Sequence, residues 1–348
     1  MFKKLTAIFM IMTLIFSLTA CTKQEKKRYE AEFLLLFDTV TQIIGYTNTE
    51  EEFAGQVNLI YDNLEEYHQL FDIYHNYDGI NNIKTINDQA GIAPVKVDQK
   101  IIDLLLFSKE AYEMTDGKVN VAYGAVLRIW HDHRDAGIDD PEKATLPDMD
   151  LLQEASVHTD FNQVVIDVEN LTVYLPDREM SLDVGAIAKG YATEQVARKA
   201  EENGMTSGLI SVGGNVRPIG VKEDGSGTPW KVGIQNPIDQ DGADIRKINL
   251  TNAALVTSGI YERYYIVGEK KYHHIIDPET LFPAEYFLSM TILCADSGLA
   301  DALSTSVFNM PFEQGLALIE RMPDTEALWV FYDGQIKTSS HFDDFVAK

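Results

Sequence analysis

Met180-Ser-Leu-Asp-Val-Gly-Ala-Ile-Ala-Lys-Gly-Tyr191 reads as a short strand entering a small-residue turn and then a helix. The helix is predicted over about residues 187–203, with Gly204 as its C-terminal stop. Backbone N–H groups are free at such a helix start, and the helix dipole favours an anion there. Gly185 and Ala186 let a ligand approach the backbone closely. Lys189 adds a mobile positive charge, and Asp183 can accept hydrogen bonds from a base or ribose.

Downstream the pattern is mostly strand: 207–212, 229–235, 245–256, 261–267, 271–276 and 287–294. Helices follow at 298–309 and 312–321, then a hairpin at 326–337. Upstream, a strand at 33–46 precedes an amphipathic helix in which Phe53, Val57, Ile60, Leu64, Tyr67 and Phe71 step by 4, 3, 4, 3, 4. Asp98 is the predicted N-cap of a helix that stops at Thr115-Asp116-Gly117. Residues 118–130 read as helix, 132–150 as loop, and 163–168 and 171–175 as short strands. Strands and helices are segregated rather than alternating. The expected class is α+β, with mixed sheets and packed helices in one large domain of two lobes over 31–348.

The chain has 348 residues, with 29 Lys+Arg against 54 Asp+Glu and a formal net charge of −25. Such a surface repels polyanions, which argues against nucleic acid as a partner. Sixteen Phe, sixteen Tyr and three Trp supply a sizeable core, which argues against a disordered acidic chain. The two cysteines, Cys21 and Cys294, are too few for a disulfide scaffold, a Cys-rich zinc site or an iron–sulfur cluster. Residues 1–20 read as a signal peptide: Lys3 and Lys4 precede an apolar stretch from Leu5 to Leu18. Leu18-Thr-Ala-Cys21 resembles the lipobox of bacterial lipoproteins. That resemblance implies cleavage before Cys21, its acylation, a tether over 21–30, and anchoring to the extracytoplasmic face of a bacterial cell membrane. A plain secretory signal is the alternative. Cys294 is expected as a buried thiol in a strand.

Three further segments carry chemistry. In Ala300-Asp-Ala-Leu-Ser-Thr305, Asp301 and Thr305 share a helix face and are hard oxygen ligands of the kind Mg²⁺ uses; a solvated helix start is the competing reading. A carboxylate on a helix surface contributes little to stability, so its removal is expected to spare the fold. In Tyr272-His-His-Ile-Ile-Asp-Pro278, only one histidine of a strand can face a given site. His274 is the candidate general base, and its rate dependence is expected to follow a titration near about 6–7. His131 and His133 read as structural or solvated. Ile210-Ser-Val-Gly-Gly-Asn215 ends a strand in two glycines, as at a tight turn, a bulge or a point of ligand approach.

These segments together resemble the ApbE family, the FAD:protein FMN transferases. The marks are Phe37-Asp-Thr39, Tyr74, Thr115-Asp-Gly117, Ser181–Gly190, Ser211–Asn215, Thr257-Ser-Gly259, His274–Pro278 and Leu299–Thr305. The resemblance implies Mg²⁺-dependent transfer of FMN from FAD to a Thr or Ser hydroxyl of an acceptor flavoprotein, through a phosphoester, with release of AMP. It also implies an ApbE-like, T-fold-like architecture. Phe37, Tyr74, Lys118, Val119, Asn120, Asp183, Lys189 and Ile275 would line the FAD site. The Ala186 carbonyl, Asp301, Ser304 and Thr305 would surround Mg²⁺, and His274 would activate the acceptor. The chain departs from the family pattern at Phe37, at Lys118–Val121, and at Leu281, where the family has glycine. A metal-dependent FAD pyrophosphatase would use the same residues with water as acceptor. A non-catalytic FAD-binding lipoprotein would not need a base beside a metal.

Overall fold

The computed structural model describes residues 25–34, 36–239 and 241–348. The expected signal peptide and Cys21 lie outside the described residues. Two strands open the fold, β1 (Lys27–Leu34) and β2 (Val40–Thr47), followed by α1 (Glu50–Phe71), α2 (Ile83–Asp88), β3 (Val95–Lys96) and α3 (Gln99–Met114). Next come α4 (Gly124–Asp139), α5 (Met149–Ser156), β4 (Val165–Asp167), β5 (Thr172–Tyr174) and α6 (Ala188–Glu202). A strand-rich part follows with β6 (Gly208–Val212), β7 (Asn215–Ile219), β8 (Trp230–Ile234), β9 (Arg246–Leu250), β10 (Ala254–Gly259), β11 (Tyr264–Val267), β12 (Lys270–His273) and β13 (Ser289–Cys294). The chain ends with α7 (Ser297–Phe308), α8 (Phe312–Ile319), β14 (Glu326–Val330) and β15 (Ile336–Thr338).

The expected α+β class is what forms. An antiparallel sheet of eight strands runs β1-β2-β6-β7-β10-β13-β14-β15, with small sheets β3-β5-β4, β8-β9 and β11-β12 beside it. Period-two alternation sorts its side chains to two covered faces. Val256, Ile292 and Trp329 pack toward α7 and α8, while Leu255, Leu293 and Leu328 pack toward the β8–β9 hairpin and Phe342. Covering on both faces explains why all six residues of β13 are buried, Cys294 among them.

Several boundaries differ from the sequence reading. The strand expected over 33–46 is broken between Leu36 and Asp38, where Phe37 and Asp38 are left-handed at φ 54° and 53°. Pairing begins at Lys27, so residues 27–30 of the expected tether are already part of the sheet. Residues 118–123 are not helical; their backbone pairs with the 181–183 segment, Asp183 N–H donating to Val121 at 2.7 Å. The helix starts at Gly124 and runs through the expected loop to Asp139. Gly124 allows this crossing, since a Cβ there would lie 2.4 Å from the Ser181 carbonyl oxygen. The strand expected over 245–256 is two strands in different sheets, and β12 ends at His273 rather than 276. At Leu281 the chain adopts φ 62°, a left-handed conformation that glycine takes without strain. Its burial against the Trp130 cluster, with Trp130 Nε1 donating to its carbonyl at 3.0 Å, offsets that cost.

Candidate functional site

A cavity of about 550 Å³ opens where α6, α7, β7 and β10 meet α4, the 72–77 loop and the segment after β12. Its walls bring together Phe37, Tyr74, Lys118, Val119, Asn120, Asp183, Ala186, Lys189, His274, Ile275, Asp301 and Thr305. Ser304, expected with them, is fully buried behind the wall. Its hydroxyl donates to the Asp301 carbonyl at 2.9 Å and lies 2.8 Å from the Ser258 hydroxyl.

The floor is the crossing of α6 and α7. Asp301 is 4% exposed, so it is not the solvated helix-surface group that the sequence suggested. Its Oδ2 accepts the Gly190 N–H at 2.7 Å and the Asn215 Nδ2 at 3.0 Å. Burial pushes its carboxyl up, against the Lys189 charge and these two hydrogen bonds. The start of α6 thus already holds one internal carboxylate. Because Gly190 N–H turns to Asp301, the Ala186 carbonyl accepts no hydrogen bond among the described residues. Lys189 likewise makes no ion pair or side-chain hydrogen bond among them, and its charge acts on Asp301, Glu262 and His274. An unpartnered carbonyl, a buried carboxylate with one oxygen free of hydrogen bonds and the Thr305 hydroxyl are a hard-oxygen donor set that fits Mg²⁺.

A second carboxylate locks the same crossing from the other side. Glu194 on α6 accepts the Ser297 N–H at the start of α7 at 3.0 Å and bonds Arg217 and Arg198, each at 2.9 Å. Burial alone would raise its carboxyl, but Arg217, the Ser297 N–H and Arg198 hold it below its ordinary value.

The adjacent histidines part company for a reason other than strand alternation. His273 ends β12, 5% exposed and edge-on to Phe308. Its Nδ1 accepts the Ile275 N–H at 3.2 Å and its Nε2 bonds the Ala284 carbonyl at 2.8 Å, which fixes a neutral tautomer. Burial pushes its pKa down to about 4, against the Ala284 hydrogen bond. His274, past the strand end, lines the cavity. Both its N–H and its Nδ1 lie 3.1 Å from the Arg263 carbonyl. That carbonyl can only accept, so Nδ1 carries the proton and Nε2 keeps the lone pair. Burial, then the charges of Arg263, His273 and Lys189, push the His274 pKa down to about 3. The titration expected near 6–7 is therefore displaced far into acid.

The rim holds what the sequence reading passed over. His131 is on α4 and faces the cavity, its Nδ1 3.3 Å from the Tyr74 hydroxyl and its Nε2 3.9 Å from Asp183 Oδ2. The steps Leu127, His131 and Arg134 fall on one helical face, a signal hidden when 132–150 is taken as loop. Arg263 is an exposed cavity residue that makes no side-chain ion pair among the described residues. Tyr74 is 51% exposed, presented by a loop that Asp72 ties through the Tyr74 N–H at 2.6 Å and the Tyr77 hydroxyl at 2.8 Å.

Three of the expected cavity residues are already committed. Lys118 bonds Asp277 at 3.2 Å and Glu279 at 2.9 Å. Asn120 donates to the Thr159 carbonyl at 2.8 Å and accepts the Ala122 N–H at 2.9 Å. Asp183 Oδ1 accepts the Gly185 N–H at 2.9 Å, closing the turn into α6.

Comparison with known proteins places this geometry. The ApbE family profile matches residues 37–329. A Treponema pallidum protein named FAD:protein FMN transferase is 34% identical over 276 residues, covering 76% of this chain and 74% of its own. A Klebsiella pneumoniae protein of the same name is 30% identical, covering 74% of this chain and 77% of its own. Among solved structures, the ApbE protein of Thermotoga maritima superposes with a TM-score of 0.80 at 29% identity, covering 92% of this chain and all of the other. The apo flavinyl transferase ApbE of Pseudomonas stutzeri, at 21% identity and TM-score 0.75, shares the fold.

Proposed function

Because the chain belongs to the ApbE family, we propose that it is an FAD:protein FMN transferase, moving FMN from FAD to a Thr or Ser hydroxyl of an acceptor flavoprotein with release of AMP. One observation carries this reading. Lys189, Asp301, Thr305, the free Ala186 carbonyl and the His274 imidazole share one cavity. A diphosphate ester needs charge neutralisation and an aligned nucleophile, and these groups supply both.

Asp301, Thr305 and the Ala186 carbonyl would hold Mg²⁺, with Ser304 as buried support beneath them. Bound there, Mg²⁺ neutralises phosphoryl oxygens as a Lewis acid. Lys189 binds the diphosphate with its ammonium. In a chain of net charge −25, attraction for a dianionic substrate has to be local in this way. Phe37, Tyr74, Val119, Asn120, Asp183 and Ile275 line the remaining walls for the rest of FAD. His274 takes the acceptor hydroxyl proton on Nε2. The hydroxyl oxygen bonds the phosphorus that bears the flavin, the bond to the bridging oxygen breaks, and AMP leaves with that oxygen. Acylation of Cys21 would hold the enzyme at the extracytoplasmic membrane face; a Cys21→Ser variant should fail to incorporate a labelled fatty acid.

The test is incubation with FAD, Mg²⁺ and Thr-bearing acceptor proteins, followed by intact-mass spectrometry. The expected result is an acceptor heavier by one FMN less one water. FMN and AMP accumulating with no adduct on any acceptor would establish a pyrophosphatase instead.

A further inference from the structure

The Gly-Gly-Asn motif has a place in this site. Gly213 and Gly214 join β6 to β7, both left-handed at φ 54° and 86°. A Cβ on Gly213 would sit 2.6 Å from Thr39 Oγ1, so the turn needs glycine twice over. The turn fixes Asn215 as the first residue of β7, paired with Val212. Asn215 is 2% exposed, lines the cavity and donates through Nδ2 to Asp301 Oδ2 at 3.0 Å. The same oxygen accepts the Gly190 N–H. Gly190 has no substitute here, because a Cβ would lie 2.4 Å from Asp301 Cβ and 2.3 Å from the Ser297 carbonyl oxygen.

Oδ2 therefore carries two donors from two different elements, while Oδ1 accepts no hydrogen bond among the described residues. The terminal torsion of an aspartate is broad and two-fold, so one donor leaves the carboxylate free to rock or to exchange its oxygens. Two donors on one oxygen hold it still. We propose that Asn215 is a positioning residue of the cation site, clamping Asp301 so that Oδ1 alone is offered to the metal. This rests on the reading that Asp301 holds the cation. Partners of this kind contribute about 10–100-fold to metal affinity by orienting a ligand they do not replace.

The experiment uses Mn²⁺ as the probe and full-length protein without FAD, with free Mn²⁺ read by electron paramagnetic resonance. Asn215→Leu conserves volume in the buried position and removes the donor; Asn215→Ala and Asn215→Ser serve as further variants if one fails to fold. The clamp predicts Mn²⁺ affinity weakened about 10–100-fold in folded Asn215→Leu, with a melting curve close to wild type, and Mn²⁺ binding lost in Asp301→Asn. Wild-type affinity in Asn215→Leu, beside lost binding in Asp301→Asn, would overturn the role of Asn215 alone. Losses that follow melting temperature across the three Asn215 variants would also overturn it. Wild-type affinity in Asp301→Asn would overturn the cation reading itself, and the clamp with it.

Discussion

The floor of the cavity and its rim are built on different principles. On the floor, two helices exchange carboxylates: Asp301 of α7 accepts from the first turn of α6, and Glu194 of α6 accepts from the first residue of α7. These groups are buried and multiply bonded, so the floor is shaped before any ligand arrives. The rim is one face of α4, a hairpin and loops, with Tyr74 half exposed and the Arg263 side chain exposed. One region serves stability and chemistry with the same atoms, and the other separates them. Removing a floor carboxylate should disturb fold and activity together, whereas changes at the rim should affect one without the other.

The largest joint effect belongs to Asp301→Ala. It removes the only carboxylate proposed for the cation and strands the Gly190 N–H and the Asn215 amide. Transfer should fall by about 10²–10³ or more, and stability by about 1–3 kcal/mol for the unsatisfied donors. Single-turnover assays and thermal melts read the two. Lost activity with an unchanged melting curve would return Asp301 to the surface role its sequence suggested.

His273 should show the opposite separation. Its folded pKa of about 4 lies below the unfolded value, so the unfolded chain binds the proton more tightly. Stability is therefore present above about pH 6.5 and is lost as pH falls toward 4, by about 3 kcal/mol in all. His273→Gln should flatten that part of the stability–pH curve and leave transfer at neutral pH near wild type. An unchanged curve would mean that other groups set the acid limit.

Lys189→Met tests a floor residue without a structural partner. FAD affinity should weaken by about 1–3 kcal/mol in calorimetry, with melting unchanged. Full affinity would place the ammonium away from the diphosphate.

Much of this arrangement is legible in the sequence. The steps of α1, the Asp98 cap and the glycine stop of α6 at φ 91° follow local rules and form as expected. Asp301, Thr305, Lys189 and His274 share the cavity, as their motifs suggested together. What escaped depended on distant partners. The burial of Asp301 is imposed by α6 and β7, far away in sequence. The left-handed pair Phe37-Asp38 divides a run that reads as one strand. His131 looked isolated because its helix runs on to Asp139, through residues that read as loop. Arg263 had no motif of its own; its backbone carbonyl, which no side-chain pattern reveals, sets the His274 tautomer.

The most direct test of the separation between floor and rim is His274→Asn, with FAD binding and transfer measured on the same protein, and pH profiles of kcat/KM for the wild type. With floor and rim separate, FAD affinity should stay within about twofold of wild type and the transfer rate should fall by about 10²–10⁴. The wild-type kcat/KM should show no histidine limb near pH 6–7, because a group with a pKa of about 3 is already the neutral base throughout that range. FAD affinity lost in step with the rate would contradict that separation, making His274 part of the binding floor. A wild-type limb at pH 6–7 that vanishes in the variant would contradict the neutral, carbonyl-locked imidazole.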